Sequence, residues 1–211
     1  APQFHRLFSD HMVLQRDTPF EVYGAGSPGA KVSVRIAGTT VEAPVQPDGR
    51  WQVEFPAFPA GGPFQVDATS DGATTVLKDV LFGDVWLASG QSNMDWKVGR
   101  GVLDMEKEIA SSQIPRVRFF NVPNRLSDVP EPDLADGSWR VAAPDSIGDC
   151  SAVAWFFARE IFKETGIPIG IVSSAVGGTP VASWMRPQAM QRCPNPKQEM
   201  LDQLNAKYGS W

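Results

Sequence analysis

The segment from Asp84 to Met94 reads DVWLASGQSNM, in which a short apolar strand leads into a turn of glycine and small polar residues. Hydrolases of the α/β type place a nucleophilic serine at such a junction, because the strand fixes the backbone and the sharp turn lifts the hydroxyl out of the sheet. The spacing differs from Gly-x-Ser-x-Gly, since Asn93 and Met94 follow Ser92. Ser92 is therefore a candidate nucleophile, although a serine in this position can also serve only as the cap of the next helix.

From about residue 81 onward the sequence alternates between strand and helix patterns. Apolar runs at Val85–Ala88 and Ile169–Ser173 predict buried strands. An apolar stripe at helical spacing lies between Ser151 and Gly166, which supply the two caps. The remaining predicted elements are a helix through Val102, Met105 and Ile109, a strand at Val117–Val122 and a long surface loop at Pro123–Asp149. This order is typical of a parallel sheet covered by helices.

The first 80 or so residues read as β-structure. Val32, Val34 and Ile36 alternate with polar residues, which is the period of a half-buried strand. Short runs of this kind recur about every 8–12 residues between clusters of glycine and proline, and that spacing predicts a small antiparallel sandwich.

A glycine pattern in this region imitates a nucleotide-binding loop, because Gly24, Gly26 and Gly29 match GxGxxG. A dinucleotide fold needs a helix after the third glycine, whereas Lys31–Ile36 has a strand pattern and Pro28 lies inside the loop. We therefore interpret the segment as a turn.

The composition is that of an ordinary globular protein, with 42% apolar and 20% charged residues. A net charge of −5 argues against a surface for nucleic acid or anionic lipid. No apolar stretch approaches the ~18 residues of a membrane span. The chain begins Ala1-Pro2, as it would after removal of a signal peptide, so we expect a secreted or periplasmic protein; an engineered chain would begin in the same way.

The two cysteines, Cys150 and Cys193, could form one disulfide in an oxidising compartment. Two buried thiols are the alternative. Seven tryptophans fit a protein that faces carbohydrate, but aromatic side chains are more often part of a core.

A second candidate element of a site follows the strand at Ile169–Ser173. Gly177 and Gly178 lie beyond its carboxyl end, the edge at which open α/β sheets bind ligands. Because glycine has no Cβ, its backbone can approach a tetrahedral centre closely and donate an N–H to an oxyanion, beside the backbone N–H of Ser92. A plain Gly-Gly turn is the alternative.

Three pieces of the chain stand in a characteristic order: LFSDHMVLQRDTPFEVYGAG at Leu7–Gly26, GQSNM at Gly90–Met94 and SAVAWFFAREIFKETGIPIGIVSSAVGGTPVASW at Ser151–Trp184. Together they resemble the sialate O-acetylesterase-like carbohydrate acetylesterases of the SGNH hydrolase superfamily. The resemblance covers nearly the whole chain. It implies an α/β fold in which residues 1–80 form a β-sandwich and residues 81–211 form the amino-terminal part of a three-layer α/β/α SGNH esterase domain.

The resemblance also implies a chemistry. Ser92 would be the nucleophile and the first oxyanion donor, and Gly178, with Gly177 as the neighbouring option, would supply the second N–H. Gln91, Asn93 and Trp184 are the predicted substrate contacts. The implied reaction is removal of O-acetyl groups from sialic acids or plant cell-wall polysaccharides through an acyl-serine, and we expect no metal or cofactor.

The chain departs from the family pattern in its histidines. The family uses a later block with an amide-bearing oxyanion donor and a terminal Asp-x-x-His that supplies acid and base. Here only His5 and His11 occur, both in the β region and neither with that spacing, so we expect structural or surface roles for them. We therefore expect a second polypeptide, from the same precursor, that carries the Asp-x-x-His and packs against this chain.

Two other functions compete with the esterase. The chain could be a non-enzymatic carbohydrate-binding module whose tryptophans are sugar platforms and whose Ser92 is idle. A lipase-like or peptide-directed serine hydrolase is a weaker reading, because no extended apolar lid segment is present. A binding module has no need of GQSN and Gly-Gly at the ends of two parallel strands, so the sequence favours the esterase.

Overall fold

The computed structural model describes residues 1–125 and 131–186, and in addition Ala189, Arg192, Asp202, Ala206 and Lys207. The strands are β1 Gln3–Phe4, β2 Val13–Gln15, β3 Phe20–Ala25, β4 Lys31–Ile36, β5 Thr39–Pro44, β6 Arg50–Phe55, β7 Gly61–Ser70, β8 Ala73–Gly90, β9 Ile114–Asn121, β10 Trp139–Ala142 and β11 Ile169–Ala175. The helices are α1 Ser92–Asp95, α2 Met105–Ala110 and α3 Ala152–Thr165, with single 3₁₀ turns at Val98–Arg100, Ile147–Asp149 and Val181–Trp184. Within the described ranges, no helix has the length and apolar character that a membrane span requires.

One long strand connects the two halves of this mixed α/β structure. β8 is 18 residues long and lies in an eight-stranded sheet of order β10-β9-β11-β8-β7-β4-β5, with β2 also paired to β8. Its first part pairs antiparallel with β7, and Asp84–Gly90 pairs parallel with β11. The predicted strand at Val85–Ala88 is confirmed, and residue 80, the predicted domain boundary, lies inside β8.

The amino-terminal strands place side chains from two sheets in one apolar core. β4 alternates as predicted, with Val32, Val34 and Ile36 fully buried. β1, β3 and β6 form a separate three-stranded sheet, and Phe55 of β6 belongs to the same buried cluster as the β4 side chains. The segment Gly24–Gly29 leads from β3 into β4, so the GxGxxG match precedes a strand, as predicted.

The carboxyl-terminal half has its own core between α3 and the parallel strands. The Ser151 hydroxyl accepts a hydrogen bond from the Ala154 N–H at 3.3 Å and caps the start of α3. Gly166 ends the helix with a φ of 66°, a left-handed conformation that glycine adopts without strain. Trp155 of α3 and Phe119 of β9 are both fully buried in this core. The two predicted helix ends are therefore confirmed.

The predicted loop at Pro123–Asp149 contains a strand that the sequence pattern did not show. β10 pairs antiparallel with β9, with Trp139 opposite Phe120. The Trp139 Nε1 also donates to the Leu7 carbonyl at 2.8 Å, which fixes this edge strand to the amino-terminal segment. Four residues between stretches of proline, aspartate and glycine are too few to produce a periodic pattern, so the prediction of a continuous loop was wrong here.

α2 is shorter than predicted and does not include Val102. The residue before the helix, Asp104, has a left-handed φ of 53°, so helical geometry begins only at Met105. Glu108 accepts a hydrogen bond from the Trp155 indole at 2.6 Å and pairs with the Arg159 guanidinium. These contacts attach α2 to α3.

A buried arginine joins β9 to the amino-terminal half. Arg118 is 4% exposed and donates to the carbonyls of His11 at 3.0 Å and Asp79 at 2.9 Å. Its guanidinium also lies 3.0 Å from the Asp79 carboxylate, which the His11 ring approaches at 2.7 Å. Burial acts to raise the pKa of Asp79, but the hydrogen bonds from His11 and Arg118 outweigh it and hold that pKa below its ordinary value. His11 thus has a structural role, as predicted.

Cys150 is fully buried and forms no disulfide with another residue that the structure describes. Burial raises the pKa of this thiol to about 12, against the opposing effect of the nearby charges of Lys97 and Arg140. Its predicted disulfide partner, Cys193, lies outside the described residues, so the pairing stays a prediction.

Candidate active site

Two neighbouring parallel strands end side by side at one edge of the sheet. In the register of β8 and β11, Gly90 lies opposite Ala175. The Val176 N–H donates to the Gly90 carbonyl at 3.0 Å, so the pairing continues just past the end of β11. Ser92 and Gly177 lie just beyond these positions. The turn that carries the serine and the Gly-Gly turn therefore leave the sheet at the same place.

Gly177 is the glycine that lies against Ser92. A methyl group added at Gly177 would lie 3.7 Å from Ser92 Cα and 3.8 Å from Ser92 Cβ. Gly178 has a φ of 80°, and a methyl group added there would meet no atom within 4 Å. The first glycine leaves room beside the serine, whereas the second provides the left-handed backbone that the turn requires.

Ser92 is exposed and is the first residue of α1 rather than its cap. The cap is Gln91, whose side-chain Oε1 accepts hydrogen bonds from the Ser92 N–H at 3.1 Å and from the Ser92 hydroxyl at 3.0 Å. Within the described part of the chain, the Ser92 hydroxyl has no other hydrogen-bond partner. In this structure the candidate nucleophile and its backbone donor are therefore both held by the preceding glutamine.

The other two predicted substrate contacts, Asn93 and Trp184, lie on the two turns of the candidate site. Asn93 is exposed on α1, directly after Ser92. Trp184 is 39% exposed, and its indole N–H donates to the Thr179 hydroxyl at 2.8 Å. The Thr179 hydroxyl in turn donates to the Val176 carbonyl at 2.8 Å. Trp184 is thereby attached to the Gly-Gly turn, with part of its ring accessible.

An aspartate and a lysine that sequence reasoning missed also belong to this region. Asp95 Oδ2 would lie 3.7 Å from a methyl group added at Gly177, so its carboxylate lies beside the serine and the glycine. Lys97 Nζ is 3.6 Å from Asp95 Oδ1, and both side chains are about three-quarters buried, at 22% and 24% exposure. The spacing from Ser92 to Asp95 places both on one side of a helical turn, and this was the available indication.

Comparison with known proteins identifies the family. The family described as carbohydrate esterase, sialic acid-specific acetylesterase matches residues 82–208. The chain belongs to this family. The matched range includes Ser92, the Gly177-Gly178 turn and Trp184.

Comparison with individual esterases agrees with this assignment to the family. The sialate O-acetylesterase of Mus musculus is 33% identical over 229 residues, which cover 97% of this chain and 42% of the mouse protein. The human sialate O-acetylesterase is 32% identical, over 93% of this chain and 41% of its own length. The crystal structure of a carbohydrate acetylesterase from Xanthomonas citri matches with a TM-score of 0.87 and 38% identity, over 91% of this chain and 44% of that chain. The chain thus spans less than half the length of these carbohydrate esterase relatives.

Neither histidine of the chain lies at the serine. His5 Nε2 is 3.2 Å from Asp133 Oδ1, and its ring packs against Phe8 and Tyr23. His11 is bound to Asp79. Among the described residues the site therefore holds a nucleophile candidate and a glycine turn, but no imidazole that contacts the serine.

Proposed function

We propose that this chain provides the nucleophile and the glycine turn of a serine esterase that removes O-acetyl groups from carbohydrates, either sialic acids or plant cell-wall polysaccharides. The observation that carries the proposal is the juxtaposition of Ser92 and Gly177 beyond two paired parallel strands. It occurs in a chain that belongs to the family of sialic acid-specific acetylesterases. An exposed serine at such an edge is accessible to an ester on a sugar.

In the proposed reaction, Ser92 Oγ attacks the acetyl carbonyl carbon while its proton passes to a base. The resulting oxyanion accepts hydrogen bonds from the Ser92 N–H and from the N–H of Gly178 or Gly177. Collapse of the tetrahedral centre breaks the bond to the sugar oxygen, which takes the proton back from the base and leaves as a hydroxyl, and water then hydrolyses the acyl-serine. Gln91 Oε1 holds both the hydroxyl and the N–H of Ser92 in this structure, so substrate must displace the glutamine before attack.

The proposal assigns the base to an Asp-x-x-His on a polypeptide outside this chain, and a free sheet edge beside the site supports this. Asp84–Gly90 pairs with β11 along one edge, and among the described residues no strand pairs with its other edge. Trp86 and Leu87, on opposite faces of β8, are 46% and 69% exposed. Phe157 of α3, whose ring packs on Trp86 at 4.9 Å, is 41% exposed. An unpaired edge with large apolar side chains is a surface that further polypeptide would cover.

We also propose that the chain contributes to two domains. Residues 1–80 would form a β-sandwich domain, and residues 81–211 the amino-terminal part of a three-layer SGNH domain. α3 covers one face of the parallel strands, and the exposure of Leu87 on the other face leaves room for a second helical layer. The proposed location is secreted or periplasmic, where Cys150 and Cys193 could pair.

Acetate release tests the proposed function. The chain, together with the sequence that supplies the Asp-x-x-His, would be incubated with O-acetylated N-acetylneuraminic acid and with acetylated xylan oligosaccharides, and free acetate would be measured. We expect steady acetate release from at least one substrate. Binding of the deacetylated sugars without any acetate release from the acetylated ones would instead indicate a carbohydrate-binding module.

The two glycines of the turn are expected to respond differently to alanine. Gly177→Ala would place a methyl group over Ser92, in the space of the acetyl group, and we expect kcat/KM for acetyl ester hydrolysis to fall by about 10–100-fold, as for a misplaced reacting group. Gly178→Ala meets open space but must adopt a left-handed φ, so we expect a loss of about 1–2 kcal/mol in the free energy of unfolding. Kinetics and urea unfolding of both variants check this. An unchanged kcat/KM in Gly177→Ala would contradict the placement of substrate beside Gly177.

A further inference from the structure

A cavity with an unusual charge lies at the carboxyl end of β9. It has a volume of about 470 Å³ and is lined by the basic side chains Lys97, Arg100 and Arg140, with Asn121 and Asp149 at its wall. Three basic groups against one acidic group make it locally positive in a chain whose net charge is −5. We call it the basic cavity. Its composition suits an anionic ligand group.

The basic cavity lies at the same sheet edge as Ser92. Asn121 is the last residue of β9 and lies opposite Ser173 of β11, which itself pairs with Ala88 of β8. Two strand spacings separate β9 from β8, which is about 10 Å. An ion pair connects the two places: Lys97 lines the basic cavity, and its partner Asp95 lies beside Gly177. A ligand that reaches Ser92 with an ester can therefore extend toward the basic cavity.

The positive charges of the basic cavity are incompletely neutralised. Arg100 is exposed and, among the described residues, has no ion-pair partner. The Arg140 guanidinium lies 5.5 Å from the centre of the Phe119 ring and 2.6 Å from Asp149 Oδ2, whose own side chain is 69% exposed.

Asn121 adds an unmet hydrogen-bond acceptor. Its Nδ2 donates to the Asp149 carbonyl at 3.0 Å, whereas its Oδ1 is buried and has no partner in the described part of the chain. A buried acceptor without a donor is unfavourable. Because Asn121 lies at the wall of the cavity, a sugar hydroxyl bound there would supply the missing donor.

We propose that the basic cavity binds a carboxylate carried by the acetylated sugar, with Arg100 and Arg140 as the donors and Asn121 as the contact to a hydroxyl of the same sugar. Guanidinium groups hold carboxylates through short, charge-assisted hydrogen bonds. The inference rests on the proposed function, which places the acetyl ester at Ser92. It selects acidic sugars, such as sialic acids and uronic acids, over neutral polysaccharides.

The test compares each acid with its own methyl ester, because esterification removes the charge and little else. The chain, together with the polypeptide that supplies the Asp-x-x-His, would be assayed on O-acetylated N-acetylneuraminic acid, on O-acetylated galacturonic acid and on the methyl ester of each. We expect kcat/KM to be at least about 10-fold higher for an acid than for its ester, as a hydrogen bond to a charged group implies. The acid that shows the larger ratio identifies the source of the carboxylate.

Arg100→Gln should remove this preference. We expect KM for the preferred acid to rise about 10-fold with kcat retained, and kinetics on the methyl ester to stay unchanged. Arg116→Gln is the matched control, because Arg116 is an exposed arginine near the start of β9, away from the cavity. It removes the same charge and should leave both substrates unaffected.

Equilibrium binding separates this inference from the proposed function. N-acetylneuraminic acid and galacturonic acid, each without an O-acetyl group, and their methyl esters would be titrated into the wild-type protein and into Arg100→Gln. Weaker binding of the acid to Arg100→Gln, with equal binding of the ester, supports the basic cavity even if no acetate is ever released. Equal binding or turnover of acid and ester by the wild-type protein would overturn the inference, and so would an equal effect of Arg116→Gln.

Discussion

Replacement of Ser92 by alanine is expected to lower kcat for acetyl ester hydrolysis by about 10⁴–10⁶-fold, the loss typical of a nucleophile that acts as part of a unit. The free energy of unfolding should change by no more than about 0.5 kcal/mol, because Ser92 is exposed and its hydroxyl bonds, among the described residues, only to the neighbouring Gln91 side chain. Initial rates of acetate release and urea unfolding curves of the same preparations measure both quantities. A large loss of activity at constant stability separates a chemical role from a structural one.

Ser89→Ala is the matched control for this experiment. Ser89 is an exposed serine on β8, so its replacement removes the same small hydroxyl from the same segment. We expect this variant to keep its activity within about 10-fold, since it does not touch the reacting atoms. Ser92→Ala protein that retained more than about a tenth of the wild-type rate would place the chemistry on another residue.

A large effect on stability is expected from replacement of Gly83. A methyl group added there would lie 2.0 Å from the Pro168 carbonyl oxygen and 2.6 Å from its carbon, both backbone atoms. The same carbonyl accepts the Asp84 N–H at 2.9 Å, where the pairing of β8 with β11 begins. Because β11 would have to move, we expect Gly83→Ala to lower the free energy of unfolding by about 3 kcal/mol, the upper part of the range for overpacking.

Gly61→Ala provides the control for Gly83→Ala. Gly61 lies on the neighbouring strand, opposite Phe82, and an added methyl group would meet only Phe64 ring atoms at 3.8 Å and 3.9 Å. We therefore expect the free energy of unfolding to stay the same or to rise by up to about 1 kcal/mol, because glycine within a strand is less favourable than alanine. Urea unfolding of the two variants measures the difference. Similar midpoints for both would mean that β8 and β11 do not approach each other as closely as the structure has them.

The elements with strong local patterns could be predicted from the sequence. β4 alternates strictly, and α3 has both a capping serine and a terminating glycine, so each follows from residues close in the chain. β10 and the continuity of β8 past residue 80 could not be predicted, because both depend on partners far away in the sequence. Tertiary pairing decides such strands. A run of four residues is too short to be recognised, and the sequence of a long strand does not show where it leaves one partner strand and pairs with the next.

The position of the two turns that form the candidate site could also be predicted from the sequence. The carboxyl ends of parallel strands meet at one edge of a sheet, so the neighbourhood of Ser92 and the Gly-Gly turn follows from two strand predictions. The hydrogen bonds of Gln91 to Ser92, and the position of Asp95 beside Gly177, depend on side-chain geometry in a short helical turn. The order Gly177-Gly178 alone does not say which glycine lies against the serine.

Ser92 is the proposed nucleophile of a carbohydrate acetylesterase. The most direct test is covalent labelling of the chain, in the presence of the Asp-x-x-His sequence, with a fluorophosphonate, followed by proteolysis and mass spectrometry of the peptide that contains GQSNM. We expect one phosphonyl group per chain, located on Ser92, with loss of acetate release in proportion to labelling and no label in Ser92→Ala. Labelling of a different residue in proportion to the loss of acetate release, or full acetate release from a chain without Ser92, would contradict the assignment of Ser92 as the nucleophile.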